Sequence, residues 1–368
     1  MLQALPAGVL AAATGGEAEE CEVPQGPPFL VQLNTGASVP RIGFGTAGLG
    51  HATEEAVLLA LTAGYRQIDT AQAEEWYREE AVGRAIKRAT SVQPQHLPGE
   101  REDGSGAATE GWTSLSSEAP LSRGGVFVTT KIHPRNFGAE QMGAVMEASV
   151  RNLEGVDLVL LHSPHCWPGA CPDNPTPWQD AWRQLEKMFL DGTVGAIGVS
   201  NFSEGLLREL LGMAAVVPAT VQNWMDPFHQ DRTVRALCAE NGIAFVSYST
   251  LGGQWTYRLP TSSAPNPVST DATIGAIASA HGTSRQAVVL SWALQSGVIV
   301  LPRSSNPGRI RENLLGFIEE EALTSSTDSG TGEDREFSAG SGRAITLKVF
   351  LVEEEMRAMD RLDGILGN

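Results

Sequence analysis

Val126-Phe127-Val128-Thr129-Thr130-Lys131, a helix-periodic stretch over 139–153, and then Val156-Asp157-Leu158-Val159-Leu160-Leu161-His162 form the part of this chain whose reading decides the fold. Each apolar run is as long as a strand and ends on a polar residue, with one helix-length of sequence between them. The pattern recurs in the runs 42–46, 66–70, 195–200, 219–223, 244–248 and 298–303. Alternating strands and helices imply a parallel sheet, and eight such units predict an α/β fold of the closed (β/α)8 TIM-barrel kind. The strand C-termini of that fold share one rim, where active sites sit. Asp69, Lys131, His162, Ser200, Asn201, Gln222, Tyr248 and Arg303 therefore converge on one mouth.

Outward from these strands, residues 29–35 and 38–41 flank Asn34-Thr35-Gly36, which reads as a hairpin capping the closed end of the barrel. Helices are expected over 54–63, from Glu79 onward, and over 139–153, 178–190, 203–211, 231–240, 271–280, 284–295, from Asn306-Pro307, and over 352–362. Ser203 and Asp231 are expected as N-caps. Residues 1–28 read as a disordered N-terminal extension, with a targeting segment as the alternative, because no Lys or Arg precedes the apolar run 5–13. Residues 90–125 and 324–342 are rich in Ser, Gly, Glu and Pro and lack periodicity. They read as disordered insertions within one barrel domain spanning 29–368.

The chain has 368 residues, 42% of them hydrophobic, and a formal net charge of −17. That acidity argues against a nucleic-acid or anionic-membrane partner, both of which want a basic face. No apolar run approaches the ~18 residues of a membrane span. The four cysteines, Cys21, Cys166, Cys171 and Cys238, are too few and scattered for a disulfide framework. The expectation is a protein of a reducing, cytoplasmic compartment.

At the rim, a carboxylate and an ammonium on nearby strand ends, Asp69 and Lys131, come within ion-pair reach. A natural use of such a buried pair is to hold a lysine beside a tyrosine and lower that phenol's pKa. Tyr77 lies just downstream, and His162 can donate a hydrogen bond to a carbonyl oxygen. The four together suit proton donation to a carbonyl under reduction. Ser200, Asn201 and Gln222 suit recognition of a carboxamide such as that of nicotinamide, and Tyr248 offers a ring for stacking. In the segment 301–313 a strand runs into a helix N-terminus carrying Arg303, Ser304 and Arg309. This composition suits a phosphomonoester such as the 2′-phosphate of NADPH. Trp167 and Trp255 lie in rim loops that could wall an apolar pocket.

Two other patterns compete. Gly43-Phe44-Gly45-Thr46-Ala47-Gly48 satisfies the dinucleotide-binding glycine spacing, but the helical pattern starts only near Thr53, beyond the glycines. His162, His165, Cys166 and Cys171 fit no zinc spacing, so no metal is expected.

On these motifs the chain resembles the aldo-keto reductase superfamily, from about Phe29 to Leu366 apart from the insertions. The residues that carry the likeness are Gly64-Tyr65-Arg66-Gln67-Ile68-Asp69-Thr70-Ala71, Val128-Thr129-Thr130-Lys131, Leu160-Leu161-His162-Ser163-Pro164 and Ile197-Gly198-Val199-Ser200-Asn201-Phe202. Gln222, Tyr248-Ser249-Thr250-Leu251-Gly252 and the segment 302–313 complete it. The resemblance implies NADPH-dependent reduction of aldehydes and ketones to alcohols, with a small carbonyl compound as substrate. It implies Asp69, Lys131 and His162 as three of four catalytic residues. Ser200, Asn201, Gln222 and Tyr248 would hold the nicotinamide, Ser249 and Leu251 would line the pyrophosphate, and Arg303, Ser304, Arg309, Glu312 and Asn313 would hold the adenosine 2′-phosphate end. The family tyrosine stands five residues after the aspartate and six before a Val-Gly pair. Here those positions hold Glu74 and Trp76, and the loop from Asp69 to Val82 is two residues longer, leaving Tyr77 as the expected acid. The altered loop also motivates an alternative, an NADPH-binding regulatory subunit or pseudo-reductase with little turnover. Oligomeric state and the individual carbonyl compound have no signature in these motifs.

Overall fold

In the computed structural model, the structure describes residues 29–91, 121–171, 175–258, 265–316 and 347–366. The N-terminal extension 1–28 and nearly all of both expected insertions lie outside these residues. Where the edges of the first insertion are described they are regular: helix α2 runs on to Ser91, and Arg123–Gly125 form a 3-10 turn.

Strands β1 (Leu30–Gln32) and β2 (Ser38–Pro40) pair antiparallel, with Val31 opposite Val39. The barrel strands are β3 (Phe44–Gly45), β4 (Gln67–Asp69), β5 (Phe127–Ile132), β6 (Leu158–Leu161), β7 (Ala196–Ser200), β8 (Thr220–Trp224), β9 (Ala244–Tyr248) and β10 (Ile299–Val300). They form one sheet in sequence order, all parallel. The two edges meet: Gly43 N donates to Val300 O at 2.9 Å and Val300 N donates to Arg41 O at 3.0 Å, which closes the barrel. Closure is tight at Gly43, where a Cβ would sit 2.6 Å from Leu301 Cδ2 and 2.7 Å from the Gln67 amide. The glycine pattern 43–48 thus serves strand packing, and the next helix starts only at Thr53.

Period-two alternation sorts the strands' apolar side chains into two sets. Phe127, Leu158, Leu160, Ala196, Val246, Ile299 and Leu301 fill the barrel interior together with Leu33 and Val39 of the hairpin, which plugs the end away from the rim. Val128, Val159, Leu161, Ile197, Val199, Val221 and Val300 point the other way and join the larger core beneath the helices.

Around the sheet lie α1 (Thr53–Ala63), α2 (Glu79–Ser91), α3 (Ala139–Asn152), α4 (Trp178–Leu190), α5 (Glu204–Met213), α6 (Arg232–Glu240), α7 (Trp255–Arg258), α8 (Pro267–Thr270), α9 (Ala272–Ala280), α10 (Arg285–Gln295) and α11 (Pro307–Leu315), followed by the C-terminal helix Glu353–Asp360. The expected cap at Ser203 forms, its hydroxyl accepting from Leu206 N. That at Asp231 does not. Its backbone is left-handed (φ 47°, ψ 42°), and its carboxylate accepts instead from Asn223 Nδ2 at 2.8 Å. Cys166 and Cys171 form a disulfide, Cα atoms 6.0 Å apart, a local bridge that runs against the expectation of a reducing compartment without a disulfide framework. Their short separation needs only a local turn, so composition and spacing over the whole chain did not reveal it. Among the described residues, no helix is long and apolar enough to cross a membrane.

Candidate active site

The alternation that sends Phe127 into the barrel sends Lys131, four residues on, to the rim. Its ammonium donates to Asp69 Oδ1 at 2.5 Å and to Thr70 O at 3.0 Å. The other carboxylate oxygen, Asp69 Oδ2, accepts from Gln222 Nε2 at 2.8 Å. The pair is almost dry, with side-chain exposures of 1% for Lys131 and 6% for Asp69. Burial pulls the Lys131 ammonium below its ordinary range, while Asp69 and, more weakly, Glu79 oppose that pull.

The loop after β4 decides which aromatic faces this pair. Gln72 N donates to Lys131 O at 3.1 Å, and both Trp76 N and Tyr77 N donate to Ala73 O at 2.9 Å. This tight turn sends consecutive side chains in different directions. Trp76 is 44% exposed and meets Trp167 edge-on, with ring centroids 5.3 Å apart. Tyr77 turns inward, its ring centroid 5.2 Å from Lys131 Nζ and 5.7 Å from the His162 ring. Burial raises the Tyr77 phenol above its ordinary range and Asp69 adds to this, against a smaller opposing effect of Arg303. Desolvation and the Asp69 charge thus both favour the protonated phenol.

His162, at the end of β6, is buried, and its pKa falls well below the ordinary value through burial, then Lys131, then His133. It is a neutral imidazole, and its Nδ1 is buried without a hydrogen-bond partner. Asn201, in left-handed backbone (φ 62°), ties three strand ends together. Its Nδ2 donates to His162 O at 2.8 Å and to Ser200 Oγ at 3.1 Å, while its Oδ1 accepts from the Tyr248 hydroxyl at 2.7 Å. Ser200 Oγ donates to Gln222 O at 2.7 Å. Asp69, Tyr77, Lys131, His162, Ser200, Asn201, Gln222 and Tyr248 thus share one rim. The side chains expected to recognise a carboxamide already brace one another, leaving the half-buried Tyr248 ring held at its hydroxyl.

Ser249 and Leu251, half-buried, continue from β9. Further along the rim, Asn306 caps α11 by accepting from Arg309 N at 3.0 Å, and Ser304 Oγ accepts from Asn306 N at 3.0 Å. Arg303 and Arg309 are exposed there, as is Glu312, whereas Asn313 is buried. Arg303 Nη1 lies 3.3 Å from where a Gly48 Cβ would stand, so this cation leans over the start of the rim. Two exposed guanidiniums and a hydroxyl at a helix start suit a phosphate group, and the flat Tyr248 ring suits a planar heterocycle. The donor set fits a phosphorylated nicotinamide dinucleotide.

Sequence reading missed His133. It stands two residues after Lys131, so strand periodicity puts both on the same side, and that was the available signal. Its Nδ1 accepts from Arg135 N at 3.1 Å, which fixes the remaining proton on Nε2. Burial and the Arg135 charge bring its pKa down to about 4. A cavity of about 580 Å³ lies beside the rim, between the β4–α2 loop and α3, with Gln72, Tyr77, Glu79 and Ser149 on its walls.

The family model for the aldo/keto reductase family matches residues 41–326. Among curated proteins, the chain is 32% identical over 287 residues to the 9,11-endoperoxide prostaglandin H2 reductase of Trypanosoma cruzi, covering 77% of this chain and 84% of that protein. It is 33% identical over 310 residues to the glycerol 2-dehydrogenase (NADP(+)) of Hypocrea jecorina, covering 76% and 85%. Among solved structures, a Bombyx mori aldo-keto reductase in complex with NADP superposes with a TM-score of 0.67 at 26% identity, covering 92% of this chain and 93% of that one.

Proposed function

The chain belongs to the aldo/keto reductase family, and on that premise we propose that it reduces aldehyde or ketone carbonyls to alcohols with NADPH, Tyr77 acting as the general acid. The observation that carries this reading is the inward turn of Tyr77 onto Lys131 and His162, with Trp76 facing outward. The relatives support the cofactor: one is named for NADP(+), and one structure holds NADP.

Bound at this rim, the reduced nicotinamide would supply the hydride. The chain's own part is positional and electrostatic. Tyr248 would stack against the nicotinamide while Asn201 holds its hydroxyl. Ser200, Asn201 and Gln222 would face the carboxamide. Ser249 and Leu251 would border the pyrophosphate, and Arg303, Ser304, Arg309, Glu312 and Asn313 the adenosine 2′-phosphate end. Neutral His162 would orient the carbonyl oxygen by hydrogen bonding. Tyr77, held protonated by its surroundings, would give its proton to that oxygen as negative charge develops. Lys131, fixed by Asp69, would stabilise the resulting phenolate. The absence of a nucleic-acid or anionic-membrane partner belongs to the same proposal, resting on the acidic composition.

The test is NADPH and NADH titration of wild type and of the Arg303→Ala/Arg309→Ala variant, with NADPH oxidation followed over a panel of aldehydes. Two lost charge-assisted contacts predict NADPH binding weaker by roughly 10- to 100-fold with NADH little changed. Equal weakening of both nucleotides removes the phosphate assignment. Tight NADPH binding without turnover on any carbonyl favours the regulatory-subunit reading.

A further inference from the structure

Glu79, the first residue of α2, carries a carboxylate that the proposed reaction does not use. Alternation along β5 sends Lys131 to the mouth and Thr130 to the helix side of the strand, where both Thr130 and Ser149 of α3 are fully buried. Glu79 meets them there. Its Oε1 accepts from the Thr130 hydroxyl, and its Oε2 accepts from Ser149 Oγ at 2.8 Å. Ser149 Oγ accepts in turn from Gln72 Nε2 at 3.1 Å, and Gln72 N donates to Lys131 O at 3.1 Å. The run of bonds thus leaves β5 one residue before Lys131, passes through α2 and α3, and returns to the Lys131 carbonyl by way of the loop that carries Tyr77. A hydroxyl donor on each oxygen matches an ionised carboxylate, which only accepts. A carboxylate that served the helix dipole alone would need neither of these donors.

We propose that Glu79 is a positioning residue of the reductase site, fastening β5 to the Tyr77 loop and setting a second negative charge near the Lys131 ammonium in addition to Asp69. This rests on the reductase reading given above. The ionisable groups around Lys131 are Asp69 from β4, Tyr77 from the loop after it, His162 from β6 and Glu79 from α2. Burial works against the ammonium, while Asp69 and then Glu79 work for it. Burial also raises the Glu79 pKa, which the two hydroxyls and Lys131 oppose. Lys131 has to stay charged while Tyr77 becomes a phenolate, so a second carboxylate extends upward the pH range in which the acid functions. Other charged groups near Glu79 line the adjoining cavity: His51, Glu74, Arg78, Glu80 and Arg84, the last paired with Glu54. These five are exposed, and solvent screens them from the buried ammonium.

The experiment uses the full chain and follows kcat for NADPH oxidation with an aldehyde from about pH 6 to about pH 10. Wild type is compared with Glu79→Gln, Glu79→Asp and Ser149→Ala, with NADPH affinity measured alongside. Glu79→Gln keeps the size and hydrogen-bonding capacity and loses the charge. Its alkaline limb moves to lower pH by about half a unit or more, while NADPH affinity and kcat near pH 6 stay within about threefold of wild type. Glu79→Asp restores the charge and returns the limb most of the way. Ser149→Ala removes one donor from the carboxylate and moves the limb in the same direction by a smaller amount. A merely structural role lowers kcat at every pH and leaves the limb in place. The proposal is overturned if Glu79→Gln binds NADPH and keeps the wild-type limb, or if Glu79→Asp shifts the limb as far as Glu79→Gln does. Should Glu79→Gln fail to fold, an unmoved limb in Ser149→Ala overturns it. Failure of the reductase reading looks different: wild type then reduces no aldehyde at any pH, and this inference falls with it.

Discussion

Replacing Lys131 by Met tests the buried pair at the base of the site. The substitution keeps an unbranched stem of similar volume and removes the charge, so packing changes little. In the wild type, Lys131 Nζ bonds Asp69 Oδ1 at 2.5 Å and Thr70 O at 3.0 Å, with side-chain exposures of 1% and 6% in the pair. Without the ammonium, Asp69 keeps the Gln222 amide at 2.8 Å, and its carboxylate has lost its charge partner inside the barrel mouth. Removing one member of a buried pair costs about 3–5 kcal/mol, because the other charge stays desolvated. For a chain of this size that corresponds to a Tm drop of roughly 4–7 °C. Neutralising both members should restore most of the loss, so Asp69→Asn with Lys131→Met should be more stable than the sum of the singles by at least about 2 kcal/mol. The Asp69→Asn single adds a signed pH test. Burial already lowers the Lys131 pKa, and Asp69 opposes this. Without Asp69 the folded state binds that proton less readily than the unfolded chain does. Stability of Asp69→Asn should therefore rise with pH toward the ordinary lysine range. Urea unfolding followed by tryptophan fluorescence, at several pH values, measures all of these. A Lys131→Met loss below about 1 kcal/mol, or simple additivity in the double variant, would refute the reasoning.

Further outcomes follow from other sites. His133 has its pKa depressed from 6.5 to about 4, so the unfolded chain binds a proton that the folded chain refuses, and this contribution to stability is present above pH 6.5 and fades as pH falls toward 4. His133→Gln should flatten that part of the stability profile, and an unchanged slope counts against it. Asp226 behaves oppositely: burial raises its pKa from 3.8 to about 6, so its contribution is present below pH 3.8 and is lost as pH rises through 6. Asp226→Asn should relieve this loss at neutral pH while keeping the side chain's size, and equal stability differences at pH 4 and pH 7 would contradict it. Gly43→Ala puts a Cβ 2.6 Å from Leu301 Cδ2 at the seam of the barrel and should cost about 1–3 kcal/mol in urea unfolding.

Much of the fold was legible because barrel strands are buried on both faces. Runs such as Leu158–Leu161 are apolar at every position, and the helices between them end on recognisable signals such as Gly64, left-handed at φ 109°. The rim was legible for the same reason. Each apolar run finishes on a polar residue at the mouth, and those run ends located Lys131, His162, Ser200 and Tyr248. Parity stops where strands stop, and the unreadable features lie there. Whether Trp76 or Tyr77 turns inward depends on a turn in which both amides share the Ala73 carbonyl, a geometry with no periodic signature. Asp231 sits in a favoured capping position, but its left-handed backbone turns the carboxylate to Asn223. The Cys166–Cys171 bridge and the placement of Trp167 depend on a loop fold that cysteine counting does not address.

The most direct measurement is the rate of NADPH oxidation with an aldehyde substrate in two variants, Tyr77→Phe and Trp76→Phe, alongside NADPH affinity. The reductase reading predicts that Tyr77→Phe loses roughly 10²- to 10⁴-fold in kcat with NADPH affinity preserved, while Trp76→Phe keeps its kcat. Full activity in Tyr77→Phe, or collapse in Trp76→Phe instead, would contradict it.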